Sequence, residues 1–481
     1  MNSFNAFLAL VARVEAQGPF VCGIVFKTQT EVVSFGDVPK KFLSLAPLPE
    51  FERAVEDRPG LDEIVPVVRV HSPKFWDRIM NQRNLGLGEA FIADEFTMEQ
   101  GSVWHLVAFF IRNNIDLAVK ISALEKARLF ALYVRWRWNH SANEDIADHY
   151  DMGDDVMNPM LGRTGVYSCG YVLDEGENLD QLQENKLNLI FSKLRLKPGD
   201  HVLDTGCGNG GALIHAAQGF GVTGEGFSNS HHMVRLAREN VKRNELTERL
   251  RIALADFSCL ERFPSESFDA IYETGVWEHL PYEDYRYVMF HCHRILKPGG
   301  RMLIHSMGDV RFRHVRDEYV QKYIFRDSNQ IILSKLLVEA EKLAMMPIDI
   351  ENLGRHYYYT LWHWHDRLTA AADGVRDKTK LKVQQYFLQC GMAQSRFGAG
   401  AVYHVLLYKD RRTFTPVDHL WRITRHSMQR PALRMQSNAH NDIKNTAPDA
   451  DPDKFTHDVY RRPSLSRRLS RLLSLLFRFY H

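Results

Sequence analysis

The segment best suited to chemistry is an acid followed by glycines, Asp204-Thr-Gly-Cys-Gly-Asn-Gly-Gly211. Apolar residues precede it, which predicts a buried strand that ends at Asp204. Glycine permits a tight turn and a close approach to a bound cofactor, and the free N–H groups that open the next helix favour an anionic group. Gly206, Gly208 and Gly211 also fit the dinucleotide pattern, so this segment alone does not distinguish a nicotinamide from a sulfonium nucleotide.

The elements around this segment predict a doubly wound parallel sheet. A helix over residues 179–194 precedes it, and strands and helices alternate after it. Right-handed crossovers place the carboxyl ends of the strands on one rim, where ligands bind. Strands are predicted at 221–226, 250–254, 268–272, 301–305 and 401–408, with a helix at 285–296 and a mainly helical insertion at 311–345. Asp204, Asp256, Glu273, Glu278 and His305 then converge on that rim.

Residues 1–138 predict an accessory domain on the substrate side. An amphipathic helix opens the chain, strand-like runs follow at 21–25 and 67–70, and a buried helix covers 104–111. We expect a compact loop over residues 84–91. An Arg-rich, aromatic helix is predicted over 116–138, packing on the next domain, with direct contact to membrane headgroups as the alternative.

Composition restricts the class of protein. A chain of 481 residues with 45% hydrophobic and 25% charged residues is typical of a globular protein of two or three domains. The net charge of +2 does not indicate a nucleic-acid partner, and no apolar run reaches the ~20 residues of a membrane span. Six cysteines without paired spacing fit a reducing compartment. No metal site is expected, because His291 and His293 do not share a helix face.

Two sets of motifs carry a family resemblance. The glycine segment, Asp256, Phe268-Asp-Ala-Ile and Leu296-Lys-Pro-Gly-Gly-Arg301 together resemble a class I S-adenosylmethionine-dependent methyltransferase. A further series resembles the cyclopropane-fatty-acyl-phospholipid synthase family, which includes the mycolic acid cyclopropane synthases. Its members, in order, are His149-Tyr-Asp, Tyr167-Ser-Cys-Gly-Tyr171, Val276-Trp-Glu-His279, Leu303-Ile-His305 and Gly354-x-x-Tyr357.

The resemblance covers residues 60–408 and implies the fold class. This is α/β: a class I methyltransferase, Rossmann-like doubly wound sheet with an N-terminal accessory domain and a C-terminal amphipathic tail. The domains would be residues 1–138 (accessory), 139–410 (methyltransferase), 411–458 (linker, partly disordered) and 459–481 (basic amphipathic helix).

The resemblance also implies an activity. The family transfers the methyl group of S-adenosylmethionine to a cis double bond of an acyl chain, and the resulting carbocation closes a ring as bicarbonate takes a proton. The implied bicarbonate holders are Cys169, Glu278, His305 and Tyr357. Taken singly, each has a structural alternative: a buried thiol, a helix cap, a core histidine and a packing aromatic. Their occurrence in family order favours the catalytic interpretation.

The cofactor would be held at the strand ends and by the segment at 167–168. Asp256 would accept a hydrogen bond from the adenine amine, with a helix cap as the alternative, and Glu225 or its neighbours would face the ribose. Two departures lie here: Asn209 stands where the family often has Trp, and Glu225-Gly-Phe-Ser228 replaces a Thr-Leu-Ser type sequence. The implied cofactor-binding set is Tyr167, Ser168, Asp204, Gly206, Gly208, Gly210, Glu225, Phe227, Ser228, Asp256 and Phe257.

The C-terminal segment 459–481 predicts a membrane-surface helix. Its leucines follow helical spacing, and six arginines occur without an acid. Docking of this helix on the catalytic domain or on a partner is the alternative.

The sequence therefore predicts a cytoplasmic enzyme, peripheral to the membrane. Its partners would be unsaturated lipid acyl chains and an anionic membrane surface, without nucleic acid, and a homodimer is left open. Three alternatives remain: a methyl- or methylene-branching lipid methyltransferase, a small-molecule N-methyltransferase, and a non-catalytic lipid-binding module.

Overall fold

The computed structural model describes residues 2–48, 64–118, 153–311, 317–325, 328 and 330–410. Most of the predicted helix over 116–138, the boundary after residue 138, the motif at His149, the linker and the C-terminal helix lie outside the described residues. Among the helices that are described, none has the length and apolar character needed to cross a membrane.

A seven-stranded sheet is the larger of the two sheets in the described chain. Its order is β10-β11-β9-β8-β5-β6-β7, in which β5 to β9 run parallel and β11 lies antiparallel between β9 and β10. The predicted doubly wound α/β sheet is confirmed. The strands are β5 (His201–Asp204), β6 (Thr223–Ser228), β7 (Leu250–Leu254), β8 (Phe268–Thr274), β9 (Leu296–Asp309), β10 (Met345–Asn352) and β11 (Gly400–Lys409).

Helices cover both faces of this sheet, as its two hydrophobic cores show. One face is packed by α6 (Leu179–Leu194), α7 (Gly211–Phe220) and α8 (His231–Arg243), and the other by α9 (Tyr285–Ile295) and α11 (Leu333–Lys342). Side-chain caps begin two of them: Asn178 accepts from the N–H of Gln181 at the start of α6, and Ser230 accepts from that of Met233 at the start of α8. Capping thus fixes where these helices enter the sheet.

A smaller sheet of order β2-β1-β3-β4 forms the N-terminal part. Its predicted strand at 67–70 is confirmed, and the one predicted at 21–25 is shifted to 24–27. Rings from α1, β1 and α2 pack together: the ring centroids of Phe7 and Phe26 are 5.5 Å apart, and those of Phe7 and Trp76 are 4.9 Å apart. The elements are α1 (Ser3–Glu15), β1 (Ile24–Lys27), β2 (Val32–Phe35), β3 (Val67–Val70), α2 (Lys74–Ile92), β4 (Phe96–Gln100), α3 (Val103–Arg112) and α4 (Ile115–Ala118).

The loop predicted over residues 84–91 is wrong, because these residues belong to α2. The helix is broken only at Arg83, whose φ is 50° and ψ is −124°. After this break the chain packs closely on itself: a Cβ atom on Gly86 would lie 2.1 Å from the carbonyl oxygen of Arg78. Glycine is present here for close backbone packing and not for a loop.

Two long helices, α12 (Gly354–Ala370) and α13 (Lys378–Phe397), join the N-terminal part to the site edge of the large sheet. Gly88 of α2 packs against the ring of Tyr386 in α13. One hydrophobic core therefore runs from the first helix to the segment around residue 169. It includes Phe7, Trp76, Trp104, Phe109, Cys169, Tyr357, Trp364 and Tyr386.

The insertion predicted over 311–345 contains helices in its described residues, as expected. These helices are α10 (Glu318–Tyr323) and α11. A further short helix, α5 (Asp154–Met160), precedes α6.

Candidate active site

A glycine-rich loop joins β5 to α7 at the carboxyl edge of the large sheet. Gly208 has a φ of +50°, and a Cβ atom placed on it would meet no atom within 4 Å, so that side of the loop is open. Gly210 has a φ of +80° and begins α7. A Cβ atom on Gly206 would lie only 2.2 Å from Cγ2 of Val276. The loop thus has a glycine facing open space and another pressed against the segment that carries Glu278.

Two buried side chains hold this loop from within. Asp204 Oδ1 accepts a hydrogen bond from the N–H of Gly206 at 3.1 Å, and burial raises the pKa of Asp204 to about 7. Asn209 Oδ1 accepts from the N–H of Gly211 at 3.1 Å, while its Nδ2 donates to the carbonyl of Thr164 at 3.3 Å. Asn209, a departure from the family pattern, therefore shapes the loop.

Aromatic side chains lie beside the loop at the ends of β6 and β7. The rings of Phe227 and Phe257 meet edge to face, with centroids 5.8 Å apart. The backbone N–H of Cys207 donates to the carbonyl of Phe227 at 3.0 Å, which ties the loop to β6. Ser228 ends β6 at the same edge. These residues lie where the sequence predicted the cofactor.

Asp256 and Glu225 both contact other groups of the protein. Asp256 Oδ1 accepts from the N–H of Ser258 at 2.8 Å and begins a short 3-10 helix, so the capping role considered as the alternative is present. Glu225 lies inside β6, and its Oε1 is 3.3 Å from Nε2 of His201, the first residue of β5. Its side chain thus leans toward the amino end of the strands, whereas Phe227 and Ser228 are the β6 residues at the rim. The ribose contact of Glu225 or its neighbours stays a prediction.

A buried cation lies under the segment that contains Tyr167 and Ser168. Lys186 of α6 is fully buried, and its Nζ donates to Ser168 Oγ at 2.9 Å and to Gln183 Oε1 at 2.5 Å. Burial lowers the pKa of Lys186 to about 7. The ring of Tyr167 packs on that of Trp364 at 4.9 Å. This cation is therefore held by neutral groups, one of them a predicted cofactor contact.

Glu278 is one of two neighbouring buried carboxyl groups. Its Oε1 accepts the backbone N–H of Met307 at 2.6 Å, and burial raises the pKa of Glu278 to about 7. Burial, and then the charge of Glu278, raise the pKa of Glu273 well above its usual range. A Cβ atom on Gly275 would lie 3.8 Å from Cβ of Ser168 and 4.0 Å from Glu278 Oε1. The carboxyl pair thus adjoins the Ser168 segment and retains a proton near neutral pH.

His305 lies on β9 beside this pair. Its carbonyl accepts the N–H of Gly275 at 2.8 Å, and its Nδ1 lies 2.7 Å from Nε2 of His404 on β11. Burial, aided by the charges of Lys186 and Lys193, places the pKa of His305 well below its usual range. The imidazole is therefore neutral.

Cys169 and Tyr357 complete the predicted catalytic set. Cys169 Sγ donates to the carbonyl of Leu353 at 3.7 Å, and Tyr357 follows one turn later on α12. Burial raises the pKa of both groups, and the pKa of Tyr357 is raised further by its neighbours Tyr167, Cys169 and Glu278. The structure thus brings a neutral thiol, a phenol, an imidazole and a protonatable carboxyl to the same rim as the glycine loop.

This chain matches the profile of a known protein family. The profile of the family described as Mycolic acid cyclopropane synthetase matches residues 138–403, more than half of the chain. The chain belongs to this family.

Several known proteins are similar to this chain over long segments. The chain is 30% identical over 333 residues to the cyclopropane-fatty-acyl-phospholipid synthase of Escherichia coli strain K12, covering 68% of this chain and 84% of that synthase. It is 27% identical over 297 residues to the sphingolipid C9-methyltransferase of Candida albicans, covering 58% of each. The solved mycolic acid cyclopropane synthase CmaA1, complexed with SAH and CTAB, superposes with a TM-score of 0.51 at 25% identity, covering 56% of this chain and 98% of that one.

The predicted family, the class I methyltransferase fold and the enzyme class are thereby confirmed: the chain is an S-adenosylmethionine-dependent methyltransferase of the cyclopropane synthase type. The roles of the individual site residues stay predictions.

Lys186 and His404 are not among the site residues predicted from the sequence. The sequence contains a signal for Lys186. It lies four residues after Leu182 and four before Ile190, so it falls on the apolar side of α6. His404 lies in an apolar run, and only the pairing of β11 with β9 places it opposite His305.

Proposed function

We propose that this synthetase-family enzyme transfers a methyl group from S-adenosylmethionine to a cis double bond of an unsaturated lipid acyl chain and closes a cyclopropane ring. The observation that carries the proposal is the convergence of Cys169, Glu278, His305 and Tyr357 beside the glycine loop. All four groups are buried, so they act away from bulk water.

The residues at the rim fit the cofactor. The open side of Gly208 would admit its amino-acid part, Ser168 lies next to Gly275 after β8, and Phe227 and Phe257 provide an apolar wall for a purine. Asp256 retains a second carboxylate oxygen for a donor while Oδ1 caps the 3-10 helix. S-adenosylmethionine supplies an electrophilic methyl group when bound.

The catalytic set fits a small anion such as bicarbonate, which would supply a base. The thiol of Cys169 and the phenol of Tyr357 stay protonated, so both can donate hydrogen bonds. The cation of Lys186 lies close enough to lower the pKa of His305 and so favours negative charge in this region. Glu278 keeps one oxygen on the N–H of Met307, which fixes the position of its carboxyl group.

The surrounding side chains favour an acyl chain over a polar amine. Tyr167, Trp364 and Tyr357 form a cluster with ring centroids 4.9 and 6.0 Å apart, and Phe325 lies 6.5 Å from Tyr167. Such rings exclude water, which would otherwise intercept a carbocation on the acyl chain. Methyl transfer would form one carbon–carbon bond as the S–CH3 bond breaks and S-adenosylhomocysteine leaves. Ring closure would form a second carbon–carbon bond as the transferred methyl carbon loses one proton to the base.

The test is incubation of the full chain with methyl-labelled S-adenosylmethionine and a total lipid extract, followed by mass spectrometry of the products. We expect label in a ring on an acyl chain, and its loss in Glu278→Gln. Label in a polar amine, or an unlabelled lipid fraction with folded enzyme, would overturn the proposal.

A second candidate function is methyl branching of a lipid. It is favoured by the likeness to the sphingolipid C9-methyltransferase. The same experiment separates the two, because a branched product retains a methyl group whereas a cyclopropane contains a ring methylene.

We also propose that residues 459–481 hold the enzyme at an anionic membrane surface on the cytoplasmic side. Six arginines without an acid, each worth about 1 kcal/mol near such a surface, support this. In liposome sedimentation, full-length protein should pellet with anionic vesicles, and protein truncated before Val459 should not. Equal pelleting of the two would remove the anchoring role. A homodimer is a separate proposal, tested by the mass of the full chain in solution.

A further inference from the structure

Two fully buried histidines face each other across neighbouring strands. His305 of β9 and His404 of β11 are directly paired in the antiparallel register. Their rings are joined by a hydrogen bond of 2.7 Å between His305 Nδ1 and His404 Nε2. Neither ring is more than 1% exposed. A bond between two ring nitrogens requires a hydrogen on one of them and a lone pair on the other.

Burial and nearby charges keep both histidine rings from becoming protonated imidazolium ions. Burial opposes protonation of both rings, and the ammonium groups of Lys186 and Lys193 on α6 add to this at both rings. A proton on His356 of α12 would further oppose protonation of His404. The two rings therefore remain neutral and share one hydrogen, so the tautomer of His404 dictates the tautomer of His305.

The outer nitrogen of His404 determines which tautomer is present. Its Nδ1 is buried and has no hydrogen-bond partner in the part of the chain that is described. A buried N–H without an acceptor is rarer and less favourable than a lone pair without a donor. The hydrogen of His404 therefore lies on Nε2 and is donated to His305 Nδ1. His305 must then carry its own hydrogen on Nε2.

We propose that His404 is a positioning residue that holds His305 in the Nε2–H tautomer, so that His305 presents a hydrogen-bond donor to the reaction site. The inference deepens the proposed function and rests on it for the role of His305. A donor suits an anion held beside Cys169 and Tyr357, whereas the opposite tautomer would direct a lone pair at that anion. His404 itself acts only through His305.

The direct test is nitrogen NMR of the full chain with ¹⁵N-labelled histidine, recorded without acyl substrate. His305→Gln identifies the signals of His305. We expect wild-type His305 to be protonated at Nε2 and unprotonated at Nδ1. Protonation at Nδ1 would overturn the inference, whatever the activity of the enzyme.

Two variants test the consequence. His404→Leu removes the donor, and we expect loss of the single tautomer at His305 and a fall in turnover of roughly 10- to 100-fold with unchanged SAH affinity. His404→Gln keeps an N–H donor and should restore the tautomer and most of the turnover. Folded His404→Leu protein with wild-type turnover and a wild-type tautomer would contradict the proposal. Wild-type protein with the expected tautomer and no activity on lipids would instead count against the proposed function alone.

Discussion

Lys186 Nζ donates a 2.9 Å hydrogen bond to Ser168 Oγ in the protein interior, and its other bonded partner, Gln183, is also neutral. Because its partners are neutral, the buried ammonium is destabilised and the pKa of Lys186 falls to about 7, and an approaching anion would favour the protonated form. Ser168 is a predicted cofactor contact, so the carboxylate of the bound methionine moiety is the anion that Lys186 would attract.

Replacing Lys186 with Met should weaken cofactor binding without unfolding the protein. Methionine fills similar volume without the buried charge, whereas the lost charge-assisted interaction is worth about 1.5–3 kcal/mol. We expect SAH affinity, measured by calorimetry, to fall by about tenfold or more. Lys382→Met, which removes a surface ion pair with Asp94, is the matched control. Wild-type SAH affinity in Lys186→Met would refute this role.

Gly206→Ala should displace the glycine loop. The new methyl group would lie 2.2 Å from Cγ2 of Val276, so the free energy of unfolding should fall by about 1–3 kcal/mol and SAH binding should weaken. The double variant Gly206→Ala, Val276→Ala makes room and should recover part of both losses. Gly374→Ala is the control, because its Cβ atom would have no neighbour within 4 Å. Strictly additive losses in the double variant would rule out this contact.

Glu278→Gln should lose activity, and its free energy of unfolding should rise relative to that of the wild-type protein as pH rises. Burial raises the pKa of Glu278 from 4.5 to about 7, so the folded state binds more protons than the unfolded state in this range. The contribution of Glu278 to stability is then full below pH 4.5 and is lost as pH rises to 7. Between pH 4.5 and 7, the free energy of unfolding of the glutamine variant should therefore increase over that of the wild type by about 1 kcal/mol per pH unit. Part of this change belongs to Glu273, because the two carboxyl groups titrate together.

Denaturant unfolding at pH 5 and pH 8 measures this difference. The exposed Glu248, replaced by Gln, provides the control. A constant difference between Glu278→Gln and wild-type protein at the two pH values would show that Glu278 ionises normally.

Asn209→Ala should loosen the turn into α7. The N–H of Gly211 loses its side-chain acceptor, which costs about 1–3 kcal/mol in the interior. Asn209→Asp keeps that acceptor and should bind SAH more tightly than the alanine variant. Thermal unfolding and SAH calorimetry check both effects, and an alanine variant equal to wild type in both would leave Asn209 without a role in the loop.

Local pattern predicted the sheet and much of the site, because the glycine loop and the strand before it are determined by neighbouring residues. Other features depend on distant contacts. His305 and His404 are 99 residues apart and meet only through strand register. Glycines near residue 86 fit either a loop or a close contact, and the backbone of Arg78 decides between them. The direction in which Glu225 leans depends on His201, which the pattern within β6 does not contain.

The core that runs from Phe7 to Tyr357 makes the N-terminal sheet and one wall of the reaction site a single cooperative unit of unfolding. A shortened chain that begins near residue 138, where the family profile begins, would leave α12 and α13 with an uncovered apolar side. We expect substitutions in α1 or α3 to alter turnover through local opening of this wall, far from any reacting atom. The part of the chain that the family profile covers therefore depends for its stability on residues outside that profile.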